Sequence, residues 1–349
     1  MTDRPTSPPG EDRKDAHLRI CLEEAIERPG RGNGFDRYQF EADALPELDR
    51  AEIDLSTTVF GKRLAAPLMI GAMTGGTARA GELNRILARA AEATGIAMAL
   101  GSQRKMLEFP EITRTFQVRD VAPNILLMGN VGAVQLNYGV TADDVRGLAS
   151  RVGADLFAFH LNALQEAIQP EGDTNFKGLI GRLERVIPEV GVPVVLKEVG
   201  AGFSRKTLRK LRHLPFAGLE VAGVGGTSWS KIETYRTDSW IQQMTGARLG
   251  DFGVPTAESL GYAVEELPGK TLIASGGIRT GTEVAKAIAL GAHLVASALP
   301  FLKAASEGGV DAVILTIRQF IDELRTICFV TGSPNLAALR GTLRQEPRP

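Results

Sequence analysis

Short apolar runs that alternate with helical patterns are the feature that most restricts what this chain can fold into. The runs are hydrophobic at consecutive positions, which is typical of parallel strands covered on both faces. They occur at residues 67–71, 95–100, 124–129, 155–159, 193–197, 218–222, 271–274 and 293–297. Helical patterns fill the intervals, as at 80–93, 142–152, 176–187, 204–211 and 282–290. Eight strand–helix units in series predict an α/β fold, a TIM (β/α)8 barrel, with a doubly wound sheet as the alternative.

Three regions of different character divide the sequence. Residues 1–12 are rich in Pro, Ser, Gly and acidic residues, and we expect them to form a disordered tail. Residues 13–63 predict an N-terminal helix at 15–27, followed by short strands that could plug the bottom of a barrel. Residues 64–345 carry the barrel pattern and end in a long amphipathic helix at 310–330 that would close the ring.

One interval breaks the repeat of strands and helices. About fifty residues separate the sixth predicted strand from the seventh, far more than a βα-loop and its helix usually need. The first part, residues 223–253, combines Gly, Ser and Thr with two Trp and a Tyr. We interpret it as a long loop that forms a mobile lid over the barrel mouth. An insertion used for subunit contact is the alternative.

Composition restricts the possible partners and the compartment. The formal net charge is -1, so bulk electrostatics favour neither nucleic acid nor a membrane surface as a partner. Two cysteines in 349 residues give no disulfide framework, which suits a reducing compartment. The N-terminus lacks the apolar core of a signal peptide, and no apolar run is long enough to span a bilayer. We therefore expect a cytoplasmic protein.

Four polar side chains follow directly on the fourth predicted strand. His160, Asn162, Gln165 and Glu166 supply an imidazole, two amides and a carboxylate within seven residues. Ligands of parallel α/β proteins bind at the carboxyl ends of strands, and a buried core needs none of these groups. The segment therefore predicts a chemical site, with a polar loop and helix cap as the alternative.

Glycine-rich turns recur where the predicted strands end. They follow the first strand at 75–76, the sixth at 223–226 and the seventh at 276–277. Glycines let a backbone approach a ligand closely and leave N–H groups for a phosphate. Because barrels commonly bind phosphate after strands seven and eight, the phosphate-cradle candidates are Gly276, Gly277, Ala298 and Leu299.

A lysine ends the fifth predicted strand. Lys197 is costly to bury without a negative partner, which could be a flavin, a phosphate, or the carboxylate of Glu198 or Glu220. Ser102 and Asn130, after the second and third strands, could hydrogen-bond a planar heterocycle. Arg104 could bind a phosphate through its planar guanidinium. Arg13, Lys14 and His17 place two cations and an imidazole within five residues, a pattern that alone is more typical of a solvated helix start.

Taken in order, these segments resemble the type 2, FMN-dependent isopentenyl-diphosphate delta-isomerases. The matching motifs cover about residues 11–345 and are Arg13-Lys14-Asp15-x-His17, Met73-Thr74-Gly75-Gly76, Gly101-Ser102-Gln103-Arg104, His160-Leu161-Asn162-x-x-Gln165-Glu166, Lys197-Glu198, Gly225-Gly226-Thr227-Ser228-Trp229, Ser275-Gly276-Gly277-Ile278-Arg279 and Ala298-Leu299-Pro300. The family usually has Asp on strand six where this chain has Glu220, which leaves the partner of Lys197 open.

The resemblance implies a complete set of site residues. FMN would be held by Ala72, Met73, Thr74, Ser102, Asn130, Lys197, Thr227, Gly276, Gly277, Arg279, Ala298 and Leu299. The diphosphate and the rest of the substrate would contact Arg13, Lys14, His17, Ser102, Gln103, Arg104, Asn162 and Gln165. Glu166 would bind Mg²⁺, and Gln165 and His160 would act in catalysis. The resemblance also suggests NADPH as the flavin reductant and a homo-oligomer, a tetramer or larger.

The implied reaction is a 1,3-allylic proton shift that converts isopentenyl diphosphate to dimethylallyl diphosphate. Of the four histidines, we place only His17 and His160 near the site, so we expect reduced FMN to carry the protons. An FMN-dependent 2-hydroxyacid oxidase would need a His base near the end of strand seven, where residues 274–279 have none. An inosine-monophosphate-dehydrogenase-like reaction would need a loop cysteine, whereas Cys21 and Cys328 lie in predicted helices. A non-catalytic flavin-binding barrel is the remaining alternative.

Overall fold

The computed structural model describes residues 13–27 and 32–346 and contains a closed parallel barrel. The predicted tail at 1–12 lies outside the described residues. The strands, in chain order, are β1 Tyr38–Phe40, β2 Thr57–Val59, β3 Lys62–Leu64, β4 Leu68–Ile70, β5 Ala97–Ala99, β6 Leu127–Gly132, β7 Leu156–Leu161, β8 Val194–Glu198, β9 Gly218–Glu220, β10 Thr271–Ala274, β11 Leu294–Ser297 and β12 Leu343–Gln345.

Eight of these strands, β4 to β11, pair in parallel, and β11 pairs with β4 to close the ring. Each corresponds to one of the predicted strands, so the TIM-barrel prediction is confirmed and the doubly wound sheet is excluded. The third predicted strand, at 124–129, lies three residues too early, because the observed strand β6 also includes Asn130, Val131 and Gly132. The fourth extends through His160 and Leu161, which pair with Lys197 and Glu198 of β8.

The helices surround the barrel and extend from its mouth. They are α1 Arg13–Glu23, α2 Ala78–Thr94, α3 Lys105–Glu108, α4 Ala142–Val152, α5 Ala163–Ile168, α6 Leu179–Val186, α7 Arg205–Leu211, α8 Trp229–Thr234, α9 Trp240–Arg248, α10 Thr256–Glu266, α11 Gly281–Ala289, α12 Leu299–Val330 and α13 Leu336–Leu339. Within residues 13–27 and 32–346, no helix is both long and apolar enough to span a bilayer.

Two layers of apolar side chains hold the barrel together. The outer layer fills the space between the strands and the surrounding helices and includes Leu87 of α2 and Val313 of α12. The inner layer fills the barrel itself and includes Met69 and Val195. Val59 and Leu64, at the β2–β3 hairpin, belong to this inner layer. The hairpin thus plugs the barrel, and strand β1 pairs instead with β12 in a separate two-stranded sheet.

Two sequence predictions of local structure need correction, and a third is confirmed as part of a longer helix. Helix α1 spans Arg13–Glu23 and not 15–27. The segment 223–253, predicted as a long loop, contains α8 and α9, whose first turns are capped by the side chains of Ser228 and Ser239. The helix predicted at 310–330 is the second half of α12, which breaks at Gly309 with φ 64°.

We expect Gly281→Ala to lower the free energy of unfolding by about 1–3 kcal/mol, the usual range for overpacking. A Cβ at Gly281 would lie 2.2 Å from the carbonyl oxygen of Phe320 in the neighbouring helix α12. Gly261→Ala in α10 is the matched control, because a Cβ there meets nothing within 4 Å. The control should be neutral or stabilising. Urea denaturation of both variants checks this, and equal stabilities would contradict the close packing of α11 on α12.

Candidate functional site

One open cavity lies at the carboxyl ends of the barrel strands. It encloses about 1490 Å³, the solvent at its mouth included, and its wall contains residues from the ends of all eight strands. Helix α1 adds Arg13, Lys14 and His17 from the side. Thr77, the N-cap of α2, donates a hydrogen bond of 2.7 Å to Asp15 and so holds α1 against the barrel.

The structure brings almost all of the predicted site residues to this cavity. Its wall includes Arg13, Lys14, His17, Ala72, Met73, Thr74, Ser102, Arg104, Asn130, His160, Asn162, Gln165, Glu166, Lys197, Thr227, Gly276, Gly277, Arg279, Ala298 and Leu299. These residues come from segments up to 286 positions apart in the sequence (13 to 299), and closure of the barrel is what joins them.

Gln103 is the predicted residue that the structure does not place on the cavity wall. Its side chain is fully buried behind the wall, where its Oε1 accepts a hydrogen bond from the backbone N–H of Asn130 at 2.9 Å. The backbone N–H of Gln103 in turn donates to the carbonyl of Asn130 at 2.8 Å. Gln103 therefore positions Asn130, and direct substrate contact is not supported.

His160 is a neutral imidazole in this cavity. Its Nδ1 donates to Asn130 Oδ1 at 2.8 Å, which leaves Nε2 with a lone pair. Burial, together with the nearby charges of Lys14 and Lys197, lowers the pKa of His160 to about 3. An anionic ligand beside the ring would raise this pKa, because negative charge favours the imidazolium.

A buried carboxylate that the sequence analysis missed links two of the cavity residues. Glu233 of α8 accepts hydrogen bonds from His17 Nε2 at 3.1 Å and from Gln165 Nε2 at 3.0 Å. Burial lowers the pKa of His17, so this imidazole is also neutral near pH 7. Burial would raise the pKa of Glu233, but the His17 hydrogen bond and the Arg236 charge lower it to about 2. The carboxylate therefore stays ionised and fixes the orientation of the Gln165 amide.

Cations and carboxylates alternate around the side of the mouth that helix α1 faces. Arg104 Nη1 donates to Asp173 Oδ2 at 2.7 Å, and Arg13 lies 3.6 Å from Glu171. Arg236 bonds to Glu171 at 2.9 Å. The guanidinium groups are thus held in place by carboxylates that do not themselves line the cavity.

Glu166 and Asn162 form a polar pair on the same side. Asn162 Nδ2 donates to Glu166 Oε1 at 2.7 Å, and the backbone N–H of Asp173 donates to Glu166 Oε2 at 2.7 Å. Burial raises the pKa of Glu166 above its ordinary value. Asn162 Oδ1 is buried and has no hydrogen-bond partner among the described residues. The pair therefore combines a desolvated carboxylate with an unsatisfied amide oxygen.

Lys197, at the end of the next strand β8, is paired with Glu220 of β9. The lysine donates to Glu220 Oε1, and Ser275 Oγ donates to the same oxygen at 2.8 Å. Glu220 is 1% exposed, and its Oε2 has no hydrogen-bond partner among the described residues. Of the alternatives left open by the sequence, the protein partner of Lys197 is therefore Glu220. Glu198 accepts instead from four successive backbone N–H groups, at 199–202.

The glycine turns after strands β9 and β10 touch each other at this side. A Cβ added at Gly276 would lie 2.2 Å from the carbonyl oxygen of Gly223. A Cβ added at Gly277 would lie 2.3 Å from the carbonyl oxygen of Gly225. Gly276 and Gly277 also have φ values of 108° and 75°, which side chains rarely adopt. Two glycine-rich backbones can thus form one wall of the cavity.

Cysteine and metal-cluster chemistry have little support in the described residues. Cys21 of α1 lines the cavity, but burial raises the pKa of its thiol to about 12, so it is not a thiolate nucleophile near neutral pH. Cys328 lies buried in α12. Residues 13–27 and 32–346 contain no group of three or more His, Cys, Asp or Glu side chains placed to hold a metal ion.

Comparison with solved structures shows which fold the chain shares. The flavin-binding domain of baker's yeast flavocytochrome b2 superposes with a TM-score of 0.65 at 18% identity, covering 95% of this chain and 79% of that one. Mandelate oxidase with (S)-2-phenylpropionate superposes with a TM-score of 0.62 at 20% identity, covering 95% of this chain and 90% of that one. At these identities the likeness shows the fold alone.

Comparison with sequences shows the family. The chain matches the FMN-dependent dehydrogenase family over residues 25–119 and 164–345. It is 49% identical to the isopentenyl-diphosphate delta-isomerase of Synechococcus sp., covering 95% of this chain and 96% of that protein. The corresponding enzyme of Deinococcus radiodurans is 46% identical, covering 98% of this chain and all of that protein. The chain therefore belongs to the FMN-dependent dehydrogenase family and, within it, to the isopentenyl-diphosphate delta-isomerases.

Proposed function

We propose that this enzyme converts isopentenyl diphosphate to dimethylallyl diphosphate by a 1,3-allylic proton shift that uses bound, reduced FMN, as a step of isoprenoid biosynthesis. The observation that carries the proposal is a single cavity with a glycine-walled side next to Lys197 and a cation-rich side next to α1. Relatives at 43–49% identity are isomerases, whereas the oxidases at about 20% share only the fold.

The cavity wall fits FMN. Two buried oxygens on it, Thr74 Oγ1 and Glu220 Oε2, have no hydrogen-bond partner among the described residues and suit the N–H and O–H groups of a flavin. Lys197 offers a cation, and the wall of Gly276 and Gly277 admits a phosphate or a flat ring without side chains in the way. Ala298 and Leu299 lie at the N-terminus of helix α12, where the Leu299 N–H suits a phosphate, although Pro300 has no N–H. When bound in its reduced form, FMN would supply a ring nitrogen that gives and takes protons.

The other side of the cavity fits a diphosphate. Arg13, Lys14 and Arg104 supply three cations there, and their side chains are carried by two separate elements. Such charge-assisted hydrogen bonds contribute more than neutral ones, and binding energy at a remote diphosphate can align the reacting alkene. We assign Ser102, His17 and Asn162 to the same region of the substrate site.

Glu166 is the proposed Mg²⁺ ligand. Its carboxylate is desolvated, and the unsatisfied Asn162 Oδ1 belongs to the amide beside it. Mg²⁺ commonly takes one or two carboxylates and completes its shell with water and substrate phosphates. A single protein carboxylate facing a diphosphate would therefore suffice.

The protein side chains at the site are poor acids for an alkene. His160 and His17 are neutral near pH 7, Glu233 is ionised, and Gln165 is an amide. Protonation of an unactivated alkene needs a stronger donor, which supports proton transfer by the flavin. We propose that Gln165, held by Glu233, and His160, held by Asn130, orient the alkene and the proton it exchanges.

We propose three further properties of the enzyme. NADPH would reduce the flavin, because the reaction itself supplies no electrons. A homo-oligomer, a tetramer or larger, would cover the exposed apolar side chains of Trp240, Ile241 and Phe252 in the segment after β9. A cytoplasmic location would suit the two free cysteines.

We expect the FMN-loaded protein, assayed anaerobically with isopentenyl diphosphate and Mg²⁺, to form dimethylallyl diphosphate only after dithionite or NADPH has reduced the flavin. Because the reaction has no net redox change, product should accumulate while the absorption spectrum of reduced flavin persists. The oxidised protein is the control. Equal turnover before and after reduction would contradict the proposed role of the flavin.

Glu166→Gln should lower Mg²⁺-dependent turnover by at least about 100-fold, because it removes the only proposed protein ligand of the metal. Flavin absorbance should be unchanged, since Glu166 is not among the residues proposed to hold FMN. Glu184→Gln, an exposed carboxylate of α6, is the control and should retain wild-type turnover. Wild-type turnover of the Glu166 variant would show that Glu166 does not bind the metal.

Glu220→Gln should lower the free energy of unfolding of the FMN-free protein by about 3–5 kcal/mol, because it leaves the buried Lys197 without its carboxylate. Asp120→Asn, which breaks an exposed ion pair with Arg85, is the control and should leave the stability unchanged. Urea denaturation of both variants measures the difference. Equal free energies of unfolding for the two variants would show that the buried Lys197–Glu220 pair does not stabilise the FMN-free protein.

A further inference from the structure

Asp173 joins groups that line the cavity but does not line it itself. It lies in the turn between α5 and α6, where its Oδ2 accepts from Arg104 Nη1 at 2.7 Å and from Gln135 Nε2 at 2.8 Å. Its backbone N–H donates to Glu166 Oε2 at 2.7 Å. One residue thus holds the guanidinium of Arg104 and the carboxylate of Glu166 at once.

We propose that Asp173 is a positioning residue that fixes Arg104 for the diphosphate and Glu166 for the metal in one arrangement. The inference rests on the proposed function and deepens it, because it names a residue that contacts both Arg104, proposed for the diphosphate, and Glu166, proposed for the metal. Asp173 acts through Arg104 and Glu166 and does not itself contact the substrate.

The position of Asp173 excludes a competing role as an internal mimic of the diphosphate. A mimic would occupy the cavity and would have to leave when substrate binds. Asp173 is instead absent from the cavity wall, whereas Arg104, Gln135 and Glu166 are all on it. The Asp173 contact occupies Nη1, so the guanidinium can bind an anion through its remaining N–H groups.

The turn that carries Asp173 is tightly packed against α5. A Cβ at Gly172 would lie 1.9 Å from the carbonyl oxygen of Glu166, so only glycine allows the chain to return this close. The backbone N–H of Gly172 donates to the carbonyl of Gln169 at 3.1 Å. The turn therefore holds the backbone N–H of Asp173 in a fixed place relative to Glu166.

Arg104 has a second carboxylate neighbour that supplies a matched control. Glu108, one turn later in α3, lies 3.8 Å from Arg104 Nε, and its side chain is 56% exposed. It is not part of the cavity wall formed by the described residues. Glu108→Gln therefore removes a carboxylate beside Arg104 and leaves Asp173 and its contact with Glu166 in place.

The test is the affinity of the FMN-loaded protein for inorganic pyrophosphate with saturating Mg²⁺, measured by calorimetry. Asp173→Ala should raise Kd about tenfold, and Asp173→Asn, which keeps an acceptor oxygen but loses the charge, should raise it less. Glu108→Gln should stay within about twofold of wild type. In an Arg104→Gln background, Asp173→Ala should add a smaller increase than it causes alone, because the Asp173 side chain acts through Arg104, whereas its backbone N–H contact with Glu166 is kept in the alanine variant.

Activity assays separate positioning from general damage. Asp173→Ala should raise KM for isopentenyl diphosphate more than it lowers kcat, while flavin content and the melting temperature stay near those of Glu108→Gln. An unchanged or lower Kd in both Asp173 variants, or full additivity with Arg104→Gln, would overturn the inference. If Arg104→Gln itself leaves pyrophosphate binding unchanged, the proposed diphosphate site fails, and the inference fails with it.

Discussion

Parallel pairing around a closed ring is the constraint on which the rest of this structure depends. Because all eight barrel strands run in the same direction, their carboxyl ends meet at one mouth. His160, Lys197 and Glu220 reach that mouth from neighbouring strands, with their registers fixed by backbone pairing. Helix α1 completes the wall with cations that no strand supplies. The enzyme therefore needs few special elements, since the fold itself brings distant segments together.

Charge compensation in a desolvated cavity is the second principle of the site. The buried Lys197 is paired with Glu220, and the half-buried Arg104 with Asp173, so each cation has a carboxylate partner. The two imidazoles need no such partner for a charge, because burial lowers the pKa values of His17 and His160 and keeps both rings neutral. A diphosphate and Mg²⁺ would enter a site whose charges are already held in place. Because these side chains are already held in place, less conformational entropy is lost when the substrate binds, and the substrate is held in one orientation.

The sequence predicted the barrel because eight apolar runs and their spacing are local signals. Through the family resemblance it also named about half of the residues that line the cavity. It could not show that Gln103 faces the core, because neighbouring residues of a loop point in different directions. Glu233 and His17 are 216 positions apart, and no local pattern marks their contact. Helices α8 and α9 were missed although Ser228 and Ser239 offered caps, because Gly, Ser and Thr dominated the segment.

The most direct measurement is a crystal structure of the reduced, FMN-loaded protein with isopentenyl diphosphate and Mg²⁺. We expect the flavin ring to lie across the barrel mouth near Lys197, with its phosphate beside Gly276 and Gly277. The diphosphate should contact Arg13 and Arg104, with the metal bound to Glu166. A mouth without flavin density, or a diphosphate bound away from these cations, would contradict the proposed isomerase site.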